Sequence, residues 1–252
     1  MLVSVIMLAY NAENTIEESI KSVLSQIYGD FEYIIINDAS TDGTEQIIME
    51  YMKKDCRIRY HKNSENSGVA FSRGLGISLS KGEYVAFVDS DDIWAENKLY
   101  EQVNFVENNN GAEFVFTGSR FIGIDGEIKK FTFDVPHKVT YSELLKQNVI
   151  SCSSVFIKRA YLENVFVTDD KMHEDFVAWL KVLKKGIIAY GINKPLLTYR
   201  LGVSTRSSNK IKAAKMTWLV YKHIGLDIFS RIYYMSFYAV RSLKKYFKIY
   251  SK

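Results

Sequence analysis

The sequence predicts an α/β protein with a doubly wound mixed sheet and a helical, basic extension at the C-terminus. Short apolar runs alternate with segments of helical period through the first half of the chain, and this alternation is typical of a doubly wound sheet. The runs are apolar along nearly their whole length, as strands are when helices cover both faces of a sheet. Beyond Lys210 the pattern is helical and rich in Lys and Arg.

Four strands and three helices are predicted in the first half. The strands cover residues 2–9, 31–37, 57–61 and 84–88, and the helices cover residues 15–26, 44–54 and 69–80. In the middle, residues 113–122 and 127–133 predict a hairpin around Asp125-Gly126, a dipeptide that favours tight turns. Further strands are expected at residues 155–157 and 196–201, and a helix at residues 173–185 that Gly186 would end.

The composition is that of a folded domain. The chain has 252 residues, of which 47% are hydrophobic and 25% charged, and it has two prolines. These values argue against a disordered or collagen-like chain and allow a large core. The two cysteines, Cys56 and Cys152, are too few for a disulfide framework or a four-sulfur metal site, which indicates a reducing compartment.

Charge is distributed unevenly, and we predict two parts, residues 1–208 and 209–252. From Lys210 onward, 10 Lys and Arg accompany one acid, a net charge of +9, whereas the preceding 209 residues carry 23 basic and 28 acidic side chains, a net charge of −5. An acidic body with a basic tail is unlike a domain that binds nucleic acid as a whole. We therefore expect no nucleic-acid partner.

The basic extension has an amphipathic pattern. When residues from Asp227 onward are placed about 100° apart on a helix, apolar residues share one face and cations lie on the other side. Such a helix suits an anionic membrane surface. A terminal helix that packs on the body with a solvated basic face gives the same pattern. The apolar face comprises Ile228, Ile232, Met235, Ala239, Leu243, Tyr246 and Tyr250, and the cations are Arg231, Arg241, Lys244, Lys245, Lys248 and Lys252.

No uninterrupted apolar run approaches the roughly 18 residues of a membrane span. The apolar start, residues 2–9, lacks a basic lead and a long apolar region, so we interpret it as a strand and not as a signal peptide. We expect a cytoplasmic protein whose extension is a candidate for peripheral binding to the inner face of the cell membrane.

The strongest chemical signal is a group of carboxylates directly after the fourth strand: Asp89, Asp91 and Asp92, with Ser90 among them. In open α/β sheets, ligands bind beyond the carboxyl ends of strands, and like charges this close repel one another unless a cation lies among them. Mn²⁺ or Mg²⁺ fits this pattern, because such hard ions take one or two carboxylates together with phosphate oxygens. The alternative is a solvated turn in which Asp91 or Asp92 caps a helix that begins near Trp94.

Two earlier strand ends also carry groups that can bind a ligand. Asp38 follows the second strand, where its carboxylate could accept hydrogen bonds from a base or a sugar hydroxyl. Ala9, Tyr10 and Asn11 end the first strand and offer an aromatic face and an amide. Each has a simpler interpretation, a turn for Asp38 and the edge of the core for Tyr10. Three strand ends of this kind together favour a binding site.

The motifs, in their order along the chain, resemble one known family. They are residues 4–11 (SVIMLAYN), residues 37–43 (NDASTDG), Gly68 with Arg73 and Gly76, residues 82–92 (GEYVAFVDSDD) and residues 173–175 (HED). The set resembles the family-2 glycosyltransferases of the GT-A fold, especially bacterial enzymes that build surface polysaccharide of the teichuronic acid type. The resemblance covers about residues 1–205, and the ordered set is far more specific than any single motif.

The resemblance implies an inverting, metal-dependent transfer of a sugar from a nucleotide-sugar, usually a UDP-sugar, to a hydroxyl of a glycan or lipid-linked glycan acceptor. Asp175 would be the general base, and Asp91 would bind the Mn²⁺ or Mg²⁺ ion that bridges the diphosphate. The implied donor-binding residues are Ala9, Tyr10, Asn11 and Asp38 at the nucleoside, Arg73 in support of this pocket or of the diphosphate, and Asp89 and Ser90 near the ribose.

The residue chemistry agrees with these roles. Displacement of UDP requires neutralisation of the developing diphosphate charge, and the acceptor hydroxyl must lose its proton to a base. Asp175 is far from Asp89 in the sequence, as expected for groups that face each other across a cleft, although acids at a helix start are also common. Glu174 is expected to orient or shield the base. Arg200, after the last strand, could bind the diphosphate or form an ordinary salt bridge.

Two other classes of protein are alternatives. A nucleotidyltransferase that makes nucleotide-sugars would need a Gly-rich loop with Lys or Arg after the first strand, and residues 10–15 contain none of these three residue types. A nucleotide-binding adaptor at the membrane surface would use the pocket and the tail, but it would have no use for Asp175 as a base. Dinucleotide-binding and P-loop motifs do not occur in the sequence.

Overall fold

The computed structural model describes residues 1–123, 126–166, 171–201 and 210–250, without the side chains of residues 210 and 244–250. The strands are β1 (Val3–Ala9), β2 (Phe31–Asn37), β3 (Ile58–Lys62), β4 (Tyr84–Asp89), β5 (Ile93–Trp94), β6 (Phe114–Ile122), β7 (Ile128–Phe133), β8 (Lys138–Val139), β9 (Phe156–Lys158) and β10 (Ala189–Arg200). The helices are α1 (Ile16–Leu24), α2 (Thr44–Met52), α3 (Val69–Leu79), α4 (Lys98–Asn108), α5 (Tyr141–Lys146), α6 (Glu174–Lys184), α7 (Lys210–His223) and α8 (Ile228–Tyr250).

The strands form one mixed sheet in the order β3-β2-β1-β4-β9-β6-β10-β5, with β7 beside β6 and β8 beside β10. The pairs β1–β2, β1–β4, β2–β3 and β6–β10 are parallel. Strand β9 runs antiparallel between β4 and β6. The α/β fold with a mixed sheet that the sequence predicts is therefore confirmed.

The carboxyl ends of β1, β2 and β4 lie side by side. Ala9 pairs with Asn37, and Leu8 pairs with Asp89. The backbone N–H of Asp38 donates to the carbonyl of Ala9 at 2.8 Å, which continues the pairing past the end of β2. The residues that follow these three strands therefore emerge at one edge of the sheet, as the sequence predicts.

Hydrophobic side chains cover both faces of the sheet. Val5 and Met7 of β1 belong to a buried cluster with α1, α2 and α4. Ile6, between them in the sequence, belongs to the other buried cluster, which includes Phe87 of β4 and Trp179 of α6. Because successive side chains of a strand point to opposite faces, the nearly continuous apolar runs of the sequence correspond to a sheet buried on both sides.

Strand β10 is longer than the sequence predicts, since only residues 196–201 have a clear strand pattern. The register against β6 shifts on both sides of Pro195. Proline cannot donate to a strand ladder and occurs in sheets at edges and bulges. Pro195 interrupts the apolar run without ending the strand. The sequence pattern therefore does not predict the first part of β10.

The alternative interpretation of the acidic group predicts a helix that begins near Trp94. This prediction is wrong. Ile93–Trp94 form strand β5, which pairs with β10. The backbone N–H of Ala95 donates to Leu196 O at 2.9 Å, and α4 begins only at Lys98, with Asn97 as its N-cap. The carboxylates after β4 therefore do not cap a helix.

The predicted hairpin and helix of the middle region are confirmed in their described parts. Strands β6 and β7 are antiparallel, and Gly126 has φ +77°, a left-handed conformation that glycine adopts at low cost. Ile124 and Asp125 of the predicted turn lie outside the described residues. Helix α6 ends at Lys184, and Gly186 follows it with φ +89°.

The C-terminal region forms two helices, and Gly225 lies between them with φ +85°. Helix α7 packs on the body, because Val220 and Tyr221 are fully buried and the Tyr221 hydroxyl donates to Leu145 O at 2.6 Å. None of the described helices has the length and hydropathy that crossing a membrane would require. The division of the chain at residue 208 stays a prediction.

Candidate active site

The ends of β1 and β2 are joined by hydrogen bonds between their loops. Asn11 has φ +47°, a left-handed conformation that asparagine tolerates better than most residues. Its Oδ1 accepts from Thr41 N at 2.8 Å, and its N–H donates to Ser40 Oγ at 3.1 Å. Tyr10, next to it, is 50% exposed. These contacts fix the backbone under an aromatic ring that is open to solvent at the edge of the sheet.

Asp38 is 5% exposed and organises the loop before α3. Its Oδ1 accepts from Asn63 Nδ2 at 2.6 Å and from Ser67 N at 2.9 Å. Its Oδ2 accepts from Gly68 N at 2.9 Å, where φ is +85°. Carboxylate oxygens have about two acceptor positions each, so Oδ2 keeps one acceptor position for a ligand.

The acidic group after β4 forms a tight turn, in which Asp92 N donates to Asp89 O at 3.1 Å. Asp89 is anchored by Ser153, whose Oγ accepts from Asp89 N at 3.0 Å. Asp91 and Ser90 are half-buried. Burial, and then the negative charge of Asp89, raise the pKa of Asp91 to about 6. The turn therefore concentrates negative charge at the edge of the sheet.

Asp92 is the most buried acid of the turn, at 1% exposure. Its Oδ1 accepts from Arg200 N at 3.2 Å, while its Oδ2 has no hydrogen-bond partner among the described residues. Burial, and then the charges of Asp91 and Asp89, raise its pKa well above the usual range. Asp92 therefore joins the end of β10 to the acidic turn.

Arg200 lies against the acidic turn, where the sequence predicts a guanidinium. Its Nε donates to Asp91 O at 3.1 Å, and its Nη2 forms an ion pair with Glu18 of α1 at 2.5 Å. The guanidinium is thus close enough to lower the pKa of Asp91. Arg200 therefore forms a salt bridge beside the acidic turn, and its contact with a diphosphate stays a prediction.

Arg73 connects two parts of the site that are distant in the sequence. It is 3% exposed. Its Nη2 contacts Asp89 Oδ1 at 3.2 Å, and its Nη1 contacts Glu174 Oε1 at 2.5 Å. One guanidinium from α3 therefore bridges the end of β4 and the start of α6, and we call these three residues the Arg73 bridge.

Asp175 follows the bridged Glu174 in the first turn of α6. Its Oδ1 accepts from Phe176 N at 2.7 Å. Burial, and then the neighbouring Glu174 charge, raise the pKa of Asp175 to about 7, while Arg73 and the Phe176 N–H act in the opposite direction. A carboxylate with a pKa near neutrality is suited to accept a proton from a substrate.

The residues of the acidic turn fit a divalent cation that is shared with a diphosphate. Asp92 Oδ2 is buried and has no hydrogen-bond partner among the described residues. Within the described ranges, no three His, Cys, Asp or Glu side chains form a cage that could hold a metal by themselves. One or two carboxylates are the number that Mg²⁺ uses when phosphate oxygens supply the remaining ligands.

Several supporting residues could not be recognised in the sequence. Ser153 anchors Asp89 N, and Asn63 and Ser67 hold Asp38. Serine and asparagine in loops give no chemical signal of their own. The partner of Arg73 is also hidden, since Glu174 is remote in the sequence and only the fold brings them together.

The mixed sheet, its two helical layers and its acidic edge define the class of the protein, an α/β fold of the GT-A type. Residues 4–184 match the family profile of Glycosyl transferase family 2. The chain belongs to this family, and it is a glycosyltransferase rather than a nucleotidyltransferase. The family resemblance predicted from the sequence motifs is confirmed.

The chain is similar over most of its length to bacterial glycosyltransferases. TuaG of Bacillus subtilis (strain 168), described as a teichuronic acid biosynthesis glycosyltransferase, is 42% identical over 223 residues, 88% of each chain. WfgD of Escherichia coli, named a UDP-Glc:alpha-D-GlcNAc-diphosphoundecaprenol beta-1,3-glucosyltransferase, is 38% identical over 247 residues, 97% of this chain and 95% of the relative.

Solved structures share the fold at low sequence identity. Residues 1-349 of Staphylococcus aureus TarS, in complex with UDP-GlcNAc, have a TM-score of 0.71 at 21% identity, over 93% of this chain and 70% of that TarS fragment. The mannosyltransferase PcManGT of Pyrobaculum calidifontis, in complex with GDP-Man and Mn²⁺, has a TM-score of 0.66 at 19% identity, over 93% of this chain and 68% of that chain.

Proposed function

We propose that this glycosyltransferase moves a sugar from a UDP-sugar to a hydroxyl of a lipid-linked glycan, with inversion, in the synthesis of bacterial cell-surface polysaccharide. The observation that carries the proposal is the Arg73 bridge. It connects Asp89, at the acidic edge, to Glu174, beside a carboxyl whose pKa is raised to about 7. Such an arrangement supports a donor site and a base that face one reacting carbon.

Asp175 is the proposed general base. Its pKa of about 7 lets the carboxylate form at neutral pH while it keeps enough basicity to take the proton of an acceptor hydroxyl. Glu174 is engaged by Arg73, which supports a role in orienting the neighbouring base rather than in accepting the proton. General-base help of this kind is worth about 10²–10⁴-fold in rate.

The donor would lie along the ends of β1, β2 and β4. Tyr10 offers an exposed ring for stacking on the uracil, and Asp38 Oδ2 has acceptor capacity for a base N–H. Arg73 supports this pocket from behind by holding Asp89. Ala9 and Asn11 shape the backbone at the nucleoside, Asp89 and Ser90 lie toward the ribose, and Arg200 approaches the diphosphate.

Asp91 would hold the divalent cation, Mn²⁺ or Mg²⁺. When bound, the cation supplies neutralisation of the charge that develops on the departing diphosphate. Asp91 must be ionised for this role, and its pKa of about 6 leaves it mostly ionised at neutral pH. Arg200, whose Nε contacts the Asp91 carbonyl, adds positive charge at the same place.

In the proposed reaction, Asp175 accepts the proton as the acceptor oxygen attacks the anomeric carbon. The new glycosidic bond forms as the bond to the UDP oxygen breaks, and the electron pair of that bond leaves with UDP. Attack from the side opposite to UDP inverts the anomeric configuration. Asp175 therefore acts at the acceptor side of the anomeric carbon, whereas Asp91 and Arg200 act at the diphosphate side.

The acceptor proposal is supported by the relatives. WfgD, a diphosphoundecaprenol-linked sugar transferase by name, aligns with 97% of this chain, and TuaG is described for teichuronic acid biosynthesis. An acceptor carried on a lipid requires the enzyme to work at the inner face of the cell membrane, where UDP-sugars are also present. We infer a cytoplasmic enzyme that binds this membrane peripherally.

A transfer assay tests the proposal. The protein is incubated with Mn²⁺, a panel of UDP-α-sugars and a lipid-diphosphate-linked GlcNAc acceptor, and the product is examined by NMR. We expect one donor to give a β-linked product, and Asp175→Asn to slow its formation by about 10²–10⁴-fold without loss of UDP binding. Asp30→Asn changes an exposed acid directly before β2, at the other end of this strand from Asp38, and is the matched control. An α-linked product would refute inversion.

A further inference from the structure

Helix α8 carries a row of large apolar side chains that face solvent. Phe229, Ile232, Tyr233, Val240 and Leu243 are 81%, 58%, 54%, 53% and 72% exposed, respectively. Their spacing, at positions i, i+3, i+4, i+11 and i+14, lies on one side of a helix. We call these five residues the α8 stripe. Contiguous exposed apolar surface of this kind marks an interaction site more often than isolated apolar residues do.

The rotation of α8 is fixed by contacts on its other side. Tyr234 and Met235 pack against the main core cluster, and the Arg231 guanidinium stacks on the Trp218 ring of α7 at 5.0 Å. The apolar face predicted from the sequence is therefore shared between the body and solvent. Met235 turns toward the body, because the core offers it apolar neighbours, and Phe229 joins the outward face.

The α8 stripe belongs to a strongly basic part of the chain. Lys212, Lys215 and Lys222 of α7 and Arg241 of α8 are exposed. In the sequence from Lys210 onward, the net charge is +9 and Asp227 is the one acid. Apolar side chains together with cations complement a bilayer that contains anionic lipids, since such a bilayer offers hydrocarbon to the former and headgroup phosphates to the latter.

We propose that the α8 stripe docks on an anionic lipid bilayer and that the exposed cations of α7 and α8 bind its headgroups. A second copy of the chain fits less well, because it would bring the same positive charge to the contact. The inference rests on the proposed function only for the purpose of the docking, which is to bring the active site to a lipid-linked acceptor. The docking itself needs neither donor nor acceptor.

Vesicle flotation of the full chain tests the docking without any sugar donor. Vesicles of phosphatidylcholine alone are compared with vesicles that also contain phosphatidylglycerol. We expect the protein to float with the anionic vesicles, and the binding to weaken when salt shortens the range of the headgroup attraction. Equal binding to both vesicle types, or binding to neither, would overturn the proposal.

Matched substitutions locate the surface. Ile232→Ser/Leu243→Ser removes two side chains of the α8 stripe, whereas Ile27→Ser/Ile128→Ser makes the same change at residues that are 66% and 60% exposed elsewhere. We expect the first variant to bind anionic vesicles at least about ten-fold more weakly and the second to bind as the natural chain does. Arg241→Gln should weaken binding about five-fold.

UDP titration of each variant separates the two proposals. We expect both double variants to bind UDP as the natural chain does, because the substituted side chains are exposed and none belongs to the proposed donor site. Equal vesicle affinity of the two double variants would overturn the docking and leave the donor site intact. Another outcome is that the natural chain forms a dimer and does not bind vesicles, and that only Ile232→Ser/Leu243→Ser dissociates the dimer. This result would assign the α8 stripe to contact with a second copy and would also overturn the docking proposal.

Discussion

At the scale of single residues, the site depends on acids whose surroundings set their charge. Asp175 and Asp91 are both carboxylates near one sheet edge, yet their proposed tasks differ. Asp175, with a pKa raised to about 7, is suited to exchange a proton. Asp91, with a pKa of about 6, is mostly ionised at neutral pH and suited to a cation. Burial is the main cause of both shifts, and the neighbouring charge of Glu174 raises the pKa of Asp175 further, as that of Asp89 does for Asp91.

The pH dependence of transfer tests the role of Asp175. The base must be deprotonated to act, so kcat/KM should rise with pH and level off above an apparent pKa near 7. Asp175→Asn should lower kcat by about 10²–10⁴-fold and remove this limb of the profile. Steady-state kinetics between pH 5.5 and about 8.5 measures both effects. An unchanged profile in Asp175→Asn would assign the proton to another group.

At the scale of secondary-structure elements, the Arg73 bridge holds α3, β4 and α6 together. Breaking a buried ion pair by removing one partner leaves an uncompensated charge and costs about 3–5 kcal/mol. Glu174 is 6% exposed, so removal of Arg73 would leave the Glu174 carboxylate as a buried, uncompensated charge. The bridge therefore has a structural effect and an electrostatic effect, and both can be measured.

Arg73→Gln should destabilise the fold far more than Arg57→Gln, which removes a half-buried pair with Asp55. It should also move the pH–rate limb to higher pH, because Arg73 lowers the pKa of Asp175. Urea unfolding and the kinetic profile provide the readouts. The double variant Arg73→Gln/Glu174→Gln, which removes both charges, should recover part of the stability. Equal losses for Arg73→Gln and Arg57→Gln would contradict the bridge.

Two glycines of α3 make a matched pair for its packing on the sheet. A Cβ at Gly76 would lie 2.5 Å from Ile6 Cγ2 of β1, whereas a Cβ at Gly74 would meet nothing within 4 Å. Gly76→Ala should therefore cost about 1–3 kcal/mol of unfolding free energy. Gly74→Ala should gain about 0.5–1 kcal/mol, because alanine favours a helix. Thermal or urea unfolding measures both changes in the free energy of unfolding. Changes of the same sign in the two variants would contradict this packing of α3 on the sheet.

At the scale of the whole molecule, the sequence predicts the sheet, its edge and the acids that line it. Asp89 and Asp91 are recognisable because they follow a buried strand, and Asp38 and Tyr10 because they end two others. The Arg73 bridge and the extent of β10 are not recognisable. The first joins residues that only the fold brings together, and the second depends on a bulge at Pro195 that the sheet accommodates.

The C-terminal region shows the same limit. Periodicity correctly predicts an amphipathic helix, but it cannot tell which apolar residues the body takes. Tyr221 of α7 completes the main core, and Met235 of α8 packs beside it, so that part of the predicted apolar face is used for packing. The remaining exposed side chains, Phe229 above all, define the α8 stripe.

The measurement that tests the central claim most directly is calorimetric titration of UDP into the protein, first with Mn²⁺ and then with a chelator. The proposed site predicts metal-dependent binding that Asp91→Asn loses, because Asp91 would hold the cation that the diphosphate shares. Asp30→Asn should bind UDP as the natural chain does. UDP binding that is unaffected by the chelator and by Asp91→Asn, or no UDP binding by the folded protein, would contradict the account.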